Sequence, residues 1–147
     1  MRHLIRLVLL LVCSLIWHGS VMAQQAGSTG DVESGFQLEQ NYPNPFNPET
    51  RIPFVLGDGL FVEGGPVRVT VRIYNVLRQL VAAPTALNHA LGEGQPVEGL
   101  EYTVPGRHEA YWDGRDRSGA QVASGVYFVQ LLVNGQPAPV RRIFVTK

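Results

Sequence analysis

The fold of this chain is limited above all by a run rich in proline and asparagine, NYPNPFNP at residues 41–48. Three residues of the run are Pro and three are Asn. Each Pro fixes the backbone angle φ, has no N–H to donate, and pushes the residue before it toward extended backbone. Asn side chains bond nearby backbone groups, as they do in turns. The run therefore predicts a rigid entry into a β-sheet that is itself neither helix nor paired strand.

Apolar residues alternate with polar ones through much of residues 36–147, which is the pattern of half-buried β-strands. The clearest case is Val67, Val69, Val71 and Ile73, which are separated by Arg and Thr. Strands are predicted at residues 36–38, 51–56, 67–74, 79–81, 107–112, 126–133 and 140–146. No long amphipathic stretch is available for crossover helices, which excludes a doubly wound fold. About seven short strands joined by turns predict an all-β sandwich with antiparallel strands.

Single residues and short segments refine this prediction. Pro53 removes a ladder donor, so its strand is predicted to be an edge strand or to carry a bulge. Residues 126–133 are apolar on both faces apart from Gln130, which favours a central place in a sheet. Asn134 and Gly135 form a hairpin turn signal. Residues 82–105 contain several Gly and Pro and predict a loop, with a helical turn at residues 85–91.

Residues 1–23 are typical of a secretory signal peptide. Arg2 and Arg6 supply the positive start, residues 4–17 the apolar core, and cleavage is predicted after Ala23. The apolar stretch is about 14 residues long, short of the roughly 20 that span a bilayer. No stretch after Ala23 is long enough either, so no transmembrane span is expected in the mature chain. The polar residues 24–35 predict a flexible lead.

Composition excludes several kinds of function. Cys13 is the sole cysteine and lies in the predicted signal peptide, so neither a disulfide nor thiol chemistry is expected in the mature chain. Twelve basic residues balance twelve acidic ones, and this gives no electrostatic case for a nucleic-acid partner.

Candidate chemical groups are few. Asp113 and Asp116 lie in WDGRDRSG, but two carboxylates are too few for a calcium loop, and a turn is the favoured interpretation. His89 and His108 are far apart in sequence and lack the spacing of a zinc site. No Ser lies in the GxSxG elbow of a hydrolase. We therefore expect no bound metal or cofactor and no enzymatic activity.

Four segments in a fixed order resemble one known family. They are NPFNP at residues 44–48, WDG at 112–114, SGVYF at 124–128 and RRIFVTK at 141–147. Together they resemble the type A C-terminal sorting domain of proteins exported by type IX secretion. That domain is immunoglobulin-like and is similar to the immunoglobulin-like domain of the flagellar hook-capping protein. The resemblance covers residues 36–147, with 82–105 as a loop insertion, and implies an immunoglobulin-like or fibronectin-III-like sandwich.

The resemblance assigns two sets of residues. The structural motif consists of Asn44, Pro45, Phe46, Asn47, Pro48, Trp112, Asp113 and Gly114. The surface recognised by the sorting machinery would include Gly125, Tyr127, Arg141, Arg142, Ile143, Phe144, Val145 and Lys147.

Each assignment has a structural alternative. Trp112 would be a core residue, and Tyr127 would form a tyrosine corner by bonding a nearby backbone group. Gly125 would permit a close approach or a bulge at the start of its strand. The basic residues Arg141, Arg142 and Lys147 would protect an edge strand from aggregation.

The expected function is therefore export without catalysis. The resemblance implies a protein that passes through the periplasm and reaches the cell surface or the medium. Its partners would be the outer-membrane secretion machinery and, for an anchored protein, surface polysaccharide or lipopolysaccharide. No cargo domain is recognised beside residues 36–147, so the alternative is a free-standing adhesin-like or carbohydrate-binding sandwich.

Overall fold

The computed structural model describes residues 35–147. The predicted signal peptide, its cleavage site at Ala23 and nearly all of the predicted lead at 24–35 lie outside the described residues. The described chain forms ten strands and one short 3-10 helix (Asp58–Phe61). The strands are β1 (Phe36–Leu38), β2 (Thr50–Leu56), β3 (Val67–Tyr74), β4 (Leu80–Ala82), β5 (Thr85–Leu87), β6 (Glu98–Tyr102), β7 (Gly106–Trp112), β8 (Gly125–Val133), β9 (Gln136–Pro137) and β10 (Arg141–Val145).

The strands form two antiparallel sheets. The first sheet has the order β1-β2-β7-β5, and the second has the order β10-β8-β3-β4. In the second sheet β6 also pairs with β3, and β9 pairs with β8. The prediction of an all-β sandwich is confirmed. No helix among residues 35–147 is long and apolar enough to cross a membrane.

Alternate residues of each strand fill the core between the sheets. On β3 the inward residues Val67, Val69, Val71 and Ile73 are buried, while the residues between them are not. The same alternation holds on β8 and β10, because side chains of period two separate an inner from an outer face. The other inward residues include Ile52, Phe54, Leu56, Ala110, Trp112, Val129, Leu131, Ile143 and Val145.

Two local predictions in the second sheet are confirmed. Strand β8 lies between β10 and β3, the central place that its two apolar faces indicated. Asn134 and Gly135 connect β8 to β9 with φ of 49° and 82°. Both positive values suit the tight hairpin turn that Asn-Gly favours.

Of the two alternatives predicted for Pro53, the edge strand was wrong. A one-residue slip in pairing does lie beside Pro53, because Leu38 lies opposite Phe54 but Tyr42 lies opposite Arg51. Strand β2 lies between β1 and β7, and its pairing with β7 is regular. The carbonyl of Pro53 accepts the N–H of Glu39 at 3.0 Å, one residue beyond the end of β1. The missing donor faces the same side of β2 as this carbonyl, where regular pairing with β1 ends, so the pairing with β7 loses no bond.

The prediction that residues 82–105 are a loop with a helical turn was also wrong. Strands β5 and β6 lie there, β5 beside β7 and β6 beside β3. Between them Val97 is buried, and its carbonyl accepts the N–H of Val71 at 2.8 Å. These strands are too short to show an alternating pattern, and they are stabilised by the long strands beside them.

Candidate functional site

Three aromatic residues from three separate sequence segments meet at one corner of the sandwich. The ring centroids of Phe46 and Trp112 are 5.3 Å apart, and those of Trp112 and Tyr127 are 5.7 Å apart. All three side chains are buried. Aromatic pairs at such distances in tilted or edge arrangements stabilise a core beyond the area they bury. We call this cluster the aromatic corner.

The fourth segment reaches the aromatic corner through its backbone. The N–H of Phe46 donates to the carbonyl of Phe144 at 2.9 Å, and the N–H of Thr146 donates to the carbonyl of Phe46 at 3.0 Å. Phe46 thus makes an isolated parallel bridge with Val145. The expectation that the Pro/Asn run makes no strand pairing was therefore wrong at this residue. A second isolated bridge joins Tyr42 to Arg51.

Side chains complete the cover over the free edge of β10. The Oδ1 atom of Asn44 accepts the N–H of Phe144 at 3.0 Å. Nε2 of Gln40 donates to the carbonyl of Arg142 at 3.1 Å. Nε of Arg141 donates to the carbonyl of Leu38 at 3.0 Å. Residues 38–46 therefore hold the outer edge of β10, whose other edge pairs with β8. We call this contact the edge cover.

The WDG segment packs tightly beneath the Pro/Asn run. Nε1 of Trp112 donates to the carbonyl of Arg115 at 2.8 Å, which satisfies the buried indole. Gly114 has φ of 72°, and a Cβ atom on it would lie 2.4 Å from the carbonyl oxygen of Pro48. Glycine is needed here both for its backbone conformation and for the space.

The carboxylates of this segment serve turns. Oδ1 of Asp113 accepts the N–H of Arg115 at 3.0 Å. Oδ1 of Asp116 accepts the N–H groups of Ser118 at 2.8 Å and Ala120 at 3.1 Å, together with the Ser118 hydroxyl. These bonds, the Ser118 hydroxyl first, lower the pKa of Asp116. The turn interpretation is confirmed. Among residues 35–147 no group of three His, Cys, Asp or Glu side chains is placed to hold a metal ion.

Tyr127 has the predicted structural role. Its hydroxyl donates to the carbonyl of Ala123 at 3.0 Å, as a tyrosine corner does. Neither predicted reason for Gly125 holds, because no atom lies within 4 Å of the position of a Cβ and the pairing of β8 with β10 is regular at Gly125. What Gly125 supplies is its φ of 152°, which L side chains rarely adopt.

The structure divides the predicted recognition residues into two groups. Tyr127, Ile143 and Val145 are buried in the core, so their side chains are not available to a partner of the folded domain. Arg141 is partly buried and is engaged in the edge cover. The remaining four, which are exposed, are Gly125, Arg142, Phe144 and Lys147.

A groove that was not predicted from the sequence lies on the outer face of the second sheet. Its volume is about 610 Å³. The residues that line it are Tyr74, Asn75, Val76, Arg78, Phe128, Gln130 and Val140. The signal was present in the apolar outward residues of β8, but these were interpreted as evidence for a central strand alone. A strand can be central and still leave one apolar face open to solvent.

An aromatic cluster near His108, also not predicted from the sequence, joins the two sheets. The ring of Tyr102, on β6, lies 4.7 Å from that of His108 and 4.8 Å from that of His89, measured between centroids. Phe54 stacks on His108 at 5.7 Å. Burial raises the pKa of Tyr102 to about 12 and lowers the pKa of His108. Folding thus brings the two histidines to one tyrosine ring, a contact that their sequence positions did not indicate.

The fold and the aromatic corner define an all-β, immunoglobulin-like sandwich domain. No family model matches the chain, and no curated protein matches it. Dimeric latent PorU from Porphyromonas gingivalis is similar in structure, with a TM-score of 0.55 and 17% sequence identity. The similarity covers 76% of this chain and 9% of that one, and it shows a shared fold.

A second solved structure is PorZ, an essential bacterial surface component of the type-IX secretion system of Porphyromonas gingivalis. Its TM-score is 0.43 at 21% identity, and the match covers 83% of this chain and 13% of that one. This chain therefore spans only a small part of the length of either protein.

Proposed function

We propose that residues 36–147 are a sorting domain that directs a non-enzymatic protein across the outer membrane through the type IX secretion machinery. In this proposal the protein is secreted or held at the cell surface. One observation carries the proposal: the four segments that resemble the sorting family meet at the aromatic corner and the edge cover. Segments joined in this way form one structural unit, in which β10 is the strand at the end of its sheet.

The edge cover defines how such a domain would be recognised. A free edge strand binds partners by adding a strand through its backbone groups. On β10 those groups are bonded to residues 38–46, so strand addition would require the cover to open. Recognition of the folded domain therefore falls to outward side chains, which on β10 are Arg142 and Phe144, followed by Lys147.

The proposal of a non-enzymatic protein is supported by the hydrogen bonds that two aspartates and two histidines make to backbone groups. Asp113 and Asp116 accept bonds from turn backbone. Nε2 of His89 and of His108 each lie 3.0 Å from a backbone carbonyl oxygen. Groups bonded in this way hold the fold in place. Asp116 also accepts the Ser118 hydroxyl. The same Oδ1 atom accepts two N–H groups of the turn and the pKa of Asp116 is lowered, so this carboxylate is a poor base for activating that hydroxyl.

Surface substitution on β10 tests the function. Deleting residues 141–147 removes Ile143 and Val145 from the core, so lost export could simply reflect unfolding. The double variant Arg142→Glu with Phe144→Ser changes exposed side chains only. In a bacterium with working type IX secretion, we expect it to remain in the periplasm while the unaltered chain reaches the surface or the medium.

The matched control is Arg117→Glu with Leu91→Ser, which makes the same change of charge and polarity at exposed sites away from β10. We expect this control to be exported, and both variants to unfold at the same temperature as the parent. Export of the β10 variant at the parental level would contradict the proposal. Specific binding on a glycan array by a chain that is not exported would instead support the carbohydrate-binding alternative.

A further inference from the structure

The outer groove, formed by the lining residues given above, continues into a wider apolar surface. Phe128 lies opposite Tyr74 on one side and Arg142 on the other, and Phe144 lies opposite Val126. Val76 is 65% exposed, Val140 50% and Phe144 40%. Contiguous exposed apolar groups with a polar rim are typical of interaction sites.

The arginines around this surface form no salt bridge within residues 35–147. Arg51, Arg68, Arg107 and Arg115 each form a salt bridge with a carboxylate. Among the described residues no salt bridge involves Arg72, Arg78 or Arg142. These three are the arginines at the outer groove: Arg72 lies opposite Gln130, Arg78 lines the groove and Arg142 lies opposite Phe128.

Arg72 supplies a second, independent observation. Its Nε atom is buried and has no hydrogen-bond partner among the described residues. An outside partner cannot reach this buried atom itself, so an incoming carboxylate would bond the terminal nitrogens of the same guanidinium. Guanidinium groups bind carboxylates with two parallel hydrogen bonds, which makes a carboxylate the acceptor that suits this position.

The outer face of the first sheet differs in charge. There Glu109 accepts bonds from Arg51 at 3.2 Å and from Arg107 at 2.8 Å, and it also accepts the Tyr42 hydroxyl. Arg107 further contacts Glu39 at 2.9 Å. That face balances its own charge. The lining of the outer groove contains no carboxylate, so it complements an acidic partner.

We propose that the outer groove binds an extended, acidic segment of a protein partner that also carries apolar side chains. Its carboxylates would bond Arg72, Arg78 and Arg142, and its apolar side chains would contact Tyr74 and Phe128. The inference rests on the proposed function in one respect only, which is that the partner is a component of the export machinery. An extended peptide fits a groove between Val76 and Val140 better than a flat lipid surface does.

The test uses the full chain, labelled with nitrogen-15, and a synthetic peptide in which Glu alternates with Val and Phe. We expect the peptide to shift the amide signals of Tyr74, Phe128 and Gln130. A matched peptide with Gln in place of every Glu should bind about tenfold more weakly or worse, since it lacks the charged acceptors that pair with the arginines.

Protein variants provide the second arm of the test. Arg72→Gln with Arg78→Gln should weaken binding of the acidic peptide at least about tenfold. Arg117→Gln, which changes an exposed arginine outside the groove, should leave it unchanged. Equal binding of both peptides, or shifts confined to the first sheet, would overturn the proposal. So would shifts caused by phosphatidylglycerol vesicles but not by the peptide.

This experiment measures binding without export. A groove that binds the acidic peptide in a chain that is not exported would leave the binding proposal standing and contradict the sorting function. Export of a chain that does not bind the peptide would contradict the binding proposal and leave the sorting function standing.

Discussion

Gly114 shows how one residue joins segments that are distant in sequence. The carbonyl of Pro48 lies where its Cβ would be, and its φ of 72° is open to glycine and strained for other residues. Gly119, five positions later in the same turn region, has φ of 84° but no atom within 4 Å of a Cβ position. A comparison of substitutions at Gly114 and Gly119 therefore separates the cost of the backbone conformation, which both share, from the cost of the collision, which only Gly114 has.

We predict that Gly114→Ala lowers the free energy of unfolding more than Gly119→Ala does. Each substitution places a side chain in the left-handed region, at a cost of about 1–3 kcal/mol. Gly114→Ala adds a collision with backbone, which cannot rotate away. Denaturant unfolding of both variants measures the difference. Equal losses of stability would mean that the contact with Pro48 does not constrain this turn.

Strand β10 shows what a short irregular segment does for a sheet. An exposed edge strand is a template for pairing with other chains, and proteins protect such edges in several ways. The sequence analysis assigned this protection to Arg141, Arg142 and Lys147. In the structure the backbone of residues 38–46 and the Asn44 side chain also cover the edge. The Pro/Asn run is therefore part of the terminal ribbon rather than only an entry to the sandwich.

We predict that Asn44→Ala raises the hydrogen-exchange rate of the Phe144 amide. The substitution removes the Oδ1 acceptor that this amide uses at 3.0 Å. Loss of one bond costs about 1 kcal/mol, which corresponds to roughly fivefold faster exchange through local opening. Asn44→Asp keeps an acceptor oxygen and should preserve most of the protection. An unchanged rate in Asn44→Ala would show that the Phe46 bridge alone holds the edge.

The two sheets are joined at one end by the cluster around His108. Phe54 and His108 belong to the first sheet, and Tyr102 belongs to the second. Burial lowers the pKa of His108 below its ordinary value of 6.5. The unfolded chain therefore binds this proton more readily than the folded chain does. The contribution of His108 to folding stability is complete when the pH lies above the ordinary pKa of 6.5. It is lost as the pH falls through that value toward the lower pKa of the folded state.

We predict that the unfolding temperature of the protein falls between pH 7 and pH 5, and that His108→Phe reduces this fall. Phenylalanine keeps an aromatic ring against Phe54 and Tyr102 but does not titrate. The pKa values of Glu109 and Asp116 are also lowered from ordinary values of 4.5 and 3.8, and their contributions are lost at lower pH. An identical pH dependence in parent and variant would contradict this role of His108.

The alternation of apolar and polar residues was enough to predict the sandwich, seven of its strands, and the inward faces of strands such as β3 and β10. This succeeds because burial of alternate side chains is a property of each strand alone. Phe144 and Asn44, by contrast, are 100 positions apart and meet only in the folded chain. Strands β5 and β6, the edge cover, the contact between His108 and Tyr102 and the outer groove all depend on such distant pairs. Their geometry follows from how the strands pair and the two sheets pack, and the one local trace of it in the chain is the set of apolar outward residues on β8.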